Sequence, residues 1–199
     1  MQIGKGRLAA FATLVAALPA CVFAVAALAC TPISKTSGVY LTAADYKDGR
    51  LAFQGVCGSK THKLELHDVR DKPYIDVTHE SEKRRYPKND LFGYRGCDGR
   101  DYRFVSNFEY QILESRDLSI YARDIGSGRQ SRRKYYFSVG PEGQALALTI
   151  ENLKQAFPDS RRFQNSLDAT FGKRRGPWEY DKFDKMFTVN RLLIASREP

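Results

Sequence analysis

The spacing of apolar residues changes from two to 3.6 at Gly140-Pro141, and that switch restricts the fold of this 199-residue chain more than any other feature. From Val39 to about Val139, short strand-like runs alternate with turns, the pattern of an antiparallel meander. Val39 to Leu41 begin it, Thr42 can cap one helical turn through Tyr46, and Asp48-Gly49 turns the chain into Leu51 to Val56. The strands HKLELHDV (62–69), YIDVTH (74–79), KRRYP (83–87), FEYQILES (108–115), LSIYARDI (118–125) and KYYFSV (134–139) follow. Between them NDLFGYRGCDGRDYRF (89–104) reads as a turn unit. In it Gly93 and Gly96 permit unusual backbone angles, and Asp98-Gly99 signals a hairpin before Tyr102 to Val105. Eight or nine strands result, enough for a curled sheet or a small barrel.

Beyond the switch, Ile150, Leu153 and Phe157 fall on one helical side, with Thr149 as N-cap and Pro158 as the stop. Phe163, Leu167 and Phe171 form a second stripe, with Ser160 as cap and Gly172 past the end, before the charged loop KRRG (173–176). EYDKFDKMFTVNRLLIA (179–195) reads as a third helix. These faces need an apolar partner, and the sheet is the one available. The expected fold is therefore α+β: an antiparallel meander followed by about three C-terminal helices in one domain over 38–199, mainly β in 38–139 and mainly α in 145–196.

The first 29 residues carry Lys5 and Arg7 and then a charge-free apolar run from Leu8 to Ala29, the build of an export signal. The run is also long enough for an uncleaved anchor, with the two cations held inside. Ala27-Leu28-Ala29 fits ordinary signal cleavage, whereas small residues followed by Cys30 resemble a lipobox, with Leu28 one place late. Lipidation of Cys30 tethers the chain to a membrane through residues 30–37; plain secretion and an uncleaved N-terminal helix remain the alternatives. All three put residues 31–199 outside the cytoplasm. The absence of acidic residues just after Cys30 favours a periplasmic or outer-membrane-associated address.

Cysteine arithmetic supports lipidation. Cleavage before Cys30 removes Cys21, lipidation uses Cys30, and Cys57 and Cys97 remain as one pair in turn-like sequence, a disulfide expected in an oxidising compartment. Without Lys5 and Arg7 the formal charge falls from +9 to +7. Outside the cytoplasm, that balance points away from nucleic acid and toward anionic glycans, lipid head groups or an acidic envelope protein.

Chemistry-bearing residues are sparse. His62 and His67 fall on opposite faces of one strand, while His67 and His79 could meet across paired strands near Glu65 or Asp76; neither set has metal-ligand spacing, and no metal or cofactor is expected. A hydrolase using His67 or His79 as base is the alternative function, although no nucleophile elbow or phosphate-cradling loop occurs. Aromatic residues and arginines interleave in the strands, and Tyr94, Arg95, Tyr102, Arg103, Arg132 and Arg133 are the candidate binding residues. Alternation puts Tyr102 and Phe104 on one face and Arg103 on the other.

Two blocks, LFGYRGCDGRDYRF and YYFSVGPEGQALALTIENLKQAFPD, resemble uncharacterised exported proteins of Bacteroidetes-type bacteria, which share a GY-x-x-CDG-x-x-YRF turn-strand, a YYFS strand and an LT-x-x-NL-x-x-AFPD helix start. The resemblance spans most of residues 38–195. It implies a shared fold and an envelope address, and it brings no activity and no catalytic residues. The expected function is a lipid-anchored, non-catalytic binding or structural module of the cell envelope.

Overall fold

The computed structural model describes residues 35–67, 72–126, 128–171 and 176–197, with the side chain of Arg129 left aside. The expected leader 1–29, Cys30, most of the tether 30–37, Gly172 and most of the 173–176 loop lie outside the described residues.

Thirteen strands and four helices are present among them. The first half of the chain contains β1 (Thr36–Tyr40), α1 (Ala43–Lys47), β2 (Ala52–Val56), β3 (Lys63–Glu65), β4 (Tyr74–His79), β5 (Glu82–Pro87) and β6 (Gly93–Arg95). Then follow β7 (Asp101–Val105), β8 (Phe108–Ser115), β9 (Leu118–Ile125), β10 (Arg132–Val139) and β11 (Leu146–Ala147). The remainder comprises α2 (Ile150–Ala156), α3 (Arg161–Thr170), β12 (Tyr180–Asp181), β13 (Met186–Phe187) and α4 (Thr188–Arg197). Eight strands form one antiparallel sheet in the order β11-β10-β9-β8-β7-β6-β1-β2, while β3-β4-β5 make a second sheet and β12-β13 a third.

The α+β expectation holds at that level, with two corrections. The large sheet is open, ending at β11 and β2, so a closed barrel is ruled out. The helices are not all C-terminal, since α1 lies between β1 and β2; Thr42 caps it in a reciprocal pair with Asp45. The expected third helix is also shorter. Its first half is the β12–β13 hairpin, where Asp181 accepts from the amides of Phe183 and Asp184 and stabilises a turn in place of a helical start.

The unit 89–104 contains β6 as well as turns. Gly93 has no unusual backbone angle; a Cβ there would stand 1.9 Å from the Tyr102 carbonyl oxygen, so close approach of β7 is what requires glycine.

Two apolar clusters hold the layers together. Leu153, Phe163, Leu167, Val189 and Leu193 of the helices meet Leu118, Ile120 and Phe137 of β9 and β10. Val39, Tyr94 and Phe104 of the large sheet meet Ile75 and Val77 of β4. The stripes of α2 and α3 thus face the sheet as their spacing requires, with Thr149 accepting from the Asn152 amide as N-cap of α2. Asn190 pins α4 to the sheet: its amide group donates to the Leu118 carbonyl and accepts from the Leu118 N–H, and it also donates to Glu114. Cys57 and Cys97 form the expected disulfide.

Candidate functional site

Cross-strand partners in an antiparallel sheet share a face. The pairings Tyr102 with Gln111, Gln111 with Ala122, and Asp124 with Arg133 therefore line up one polar row across β7 to β10. This row forms the floor of an open groove of about 390 Å³, completed by Lys88, Arg100, Asn107, Phe108, Glu109 and Arg123. Lys88, only 1 % exposed, donates to Glu109 and to the Asn107 carbonyl, and Tyr94 donates its hydroxyl to the other Glu109 oxygen. With that pair neutralised, Arg133 stands 3.7 Å from Asp124 and Arg100 stands 3.7 Å from Asp98. Arg133 also donates to Gln111 at 2.6 Å, while the Arg123 guanidinium, on the opposite face of β9 by alternation, lies 3.7 Å from the centre of the Phe108 ring.

Of the six candidate binding residues, Tyr102 and Arg133 line this groove and four do not. Tyr94 is core, stacked on Tyr102 with ring centres 4.8 Å apart. Arg95 makes a two-point bond to Asp101, at 2.8 and 3.0 Å. Arg103, on the opposite face as alternation demands, is 9 % exposed and donates to Tyr121, Ser138 and the carbonyls of Glu142 and Gly143. Arg132 is exposed at the start of β10. Reading the sequence missed Lys88, Glu109 and Arg100. The one signal for Lys88 was its place directly after the Pro87 strand end, where a lysine ordinarily remains in water.

The histidines are distributed differently from expectation. His67 meets Asp76 at 3.1 Å, and with Glu65 their ligand atoms all lie within 4.8 Å of one another. Cations already satisfy both carboxylates: Arg85 binds Asp76 at two points, Lys63 and Lys83 bind Glu65, and Lys83 stands 3.6 Å from Asp76. A metal would have to displace this network. His79 meets His62 in place of His67, and His62 is buried, 5 % exposed, with Nε2 on Ser37 Oγ at 2.8 Å. No serine or cysteine is hydrogen-bonded to His67 or His79 among the described residues, so the geometry brings neither a nucleophile.

The network has a measurable acid signature. Hydrogen bonds from Lys63 and then Lys83 hold Glu65 at about 2, down from an ordinary 4.5, and those from Arg85, then His67, hold Asp76 well below the usual carboxylate range. A carboxyl with a lower folded pKa contributes stability that is complete above its unfolded value and is lost as pH falls through the folded one. The urea midpoint should therefore fall as pH drops from about 4.5 to 2. Asp76→Asn should flatten that slope. An unchanged midpoint across the window in the parent chain would refute the assignment.

Comparison with family models, curated proteins and solved structures found no match to this chain. Among the described residues no helix is long and apolar enough to cross a membrane.

Proposed function

We propose that the chain is an envelope module, exported and tethered through Cys30, that binds an anionic ligand in the groove of the large sheet without transforming it. The observation that carries the reading is the groove itself: Arg133 and Arg100 beside the ring of Tyr102 around about 390 Å³, a volume ordinary for a small-ligand site. Its excess of cations matches the positive charge of the whole chain. An acidic glycan suits it best, because a sugar ring can lie against an aromatic side chain while its carboxylate or sulfate meets the guanidinium of Arg133. The Cys57–Cys97 bond supports an oxidising compartment, consistent with an extracytoplasmic address.

Calorimetry with short uronic-acid oligosaccharides tests the reading. Arg133→Ala should weaken binding about tenfold, the worth of one charge-assisted hydrogen bond. Its melting temperature should stay near that of the parent, since the side chain is 40 % exposed. Affinity should also fall with added salt. A parent chain that takes up none of these oligosaccharides, or an Arg133→Ala chain that binds them equally well, would sink the proposal.

A further inference from the structure

Ser37 of β1 stands opposite Gly55 of β2, so the two share one face of the sheet. Gly55 has no side chain, and the ring of His62 occupies the place one would take: a Cβ there would stand 2.1 Å from His62 Cγ. The ring is thereby set down beside Ser37, with Nε2 at 2.8 Å from Ser37 Oγ.

Burial, and then the neighbouring His79, lower the pKa of His62, while a hydrogen bond to the Thr78 backbone raises it. A backbone group that raises the pKa of a histidine is a carbonyl accepting a ring proton. Nε2 is turned to Ser37, and Nδ1 is buried without a side-chain partner, which leaves the Thr78 carbonyl to accept the Nδ1 proton. Nε2 then keeps its lone pair and accepts from the Ser37 hydroxyl. The ring is neutral, and its basic nitrogen faces a nucleophile.

A buried serine–histidine bond inside a packed core would be structural only. This one lies in the wall of a cavity of about 390 Å³, whose other sides are Leu64, Leu66, Tyr94 and the Cys57–Cys97 bond. Gly58, Lys63 and Cys97 of the same wall are exposed, so the cavity opens to solvent.

We propose that Ser37 and His62 form a nucleophile–base pair that hydrolyses small carboxylic esters, with the apolar acyl chain held against Leu64, Leu66 and Tyr94. Ser37 Oγ adds to the ester carbonyl carbon as its proton passes to His62 Nε2. The ester C–O bond breaks, His62 returns the proton to the departing alkoxide, and an alcohol leaves an acyl group on Ser37. Water then adds to that group, giving one proton to His62; the acid departs and Ser37 recovers its proton. The sum is ester plus water to acid plus alcohol. A neutral carbonyl steadies the imidazolium less than a carboxylate does, so the pair suits esters and not amides, whose amine leaves less readily. The cavity shares no lining residue with the sheet groove, and the two readings stand or fall independently.

The test uses the full chain in detergent and an alkyl fluorophosphonate, which phosphonylates an activated serine with loss of fluoride. The parent should take up one phosphonyl group, mapped by peptide mass to Ser37. Ser37→Ala should take up none, and His67→Ala, at the neighbouring charged cluster, should label as the parent does. Hydrolysis of 4-nitrophenyl butyrate should fall at least about 100-fold in Ser37→Ala. Two of the readouts need no variant and so survive a Ser37→Ala chain that fails to fold: the mapped adduct, and ¹⁵N shifts of the unmodified chain, which should place the His62 proton on Nδ1. A parent that takes up no phosphonyl group, an adduct on another residue, equal hydrolysis by a folded Ser37→Ala chain, or a His62 proton on Nε2 would each overturn the assignment.

Discussion

Arg103→Ala should cost about 3 kcal/mol of folding stability, or roughly 6–12 °C in melting temperature for a chain of this size. The guanidinium is buried, and no carboxylate pairs with it among the described residues; its partners are the hydroxyls of Tyr121 and Ser138 and the carbonyls of Glu142 and Gly143. It fastens the loop after β10 to the underside of the sheet. Truncation leaves those carbonyls without a donor and opens a cavity beneath Tyr121, and each is a recognised source of large losses.

Two further variants separate the contributions. Arg103→Met fills the space and removes a buried charge, so about half the loss should return. Arg103→Lys keeps the charge, but a single ammonium cannot reach both the hydroxyl pair and the two carbonyls, so it should recover less than methionine does. Urea denaturation measures all three. An alanine variant within about 1 kcal/mol of the parent would mean that the loop holds itself without this residue.

The second large effect belongs to the disulfide. Cys57 follows the edge strand β2 and Cys97 lies in the turn between β6 and β7, so the bond ties the open edge of the sheet across β1 to the interior. The separation of 40 residues gives about 4 kcal/mol of loop-closure stabilisation on the chain-entropy account. The Cys57→Ser, Cys97→Ser chain should lose that amount in urea denaturation under oxidising conditions. The parent treated with a thiol reductant should lose as much. Equal midpoints for oxidised and reduced parent would show that pairing of β1 with β2 alone holds the edge.

Local pattern made much of this legible. The strands from β7 to β10 and the faces of α2 and α3 follow from spacing, because apolar residues at period two or 3.6 have one way to turn inward. Thr42 and Thr149 were readable as caps, since a hydroxyl before a helical run satisfies free amides within its own turn. The 179–195 segment misled because Phe183, Met186 and Phe187 imitate helical spacing, while the hydrogen bonds of Asp181 to the following amides favoured a hairpin.

The candidate sites were much less visible. The groove needs Lys88 and Glu109 to meet across 21 positions, and the contact of His62 with His79 needs rings 17 positions apart in the chain to touch. Neither leaves a spacing signal.

What the sequence determined by itself, then, is the class of each local segment, the alternation that sets Arg103 opposite Tyr102, and the pairing of Cys57 with Cys97. These depend on interactions within a few residues or on simple arithmetic. Only the tertiary structure decided that Arg103 and Lys88 are interior while Arg133 remains in water, that His79 finds His62 and not His67, and that the sheet stays open. Burial and long-range contact depend on which layer covers which face, and residues far apart in the chain settle that jointly.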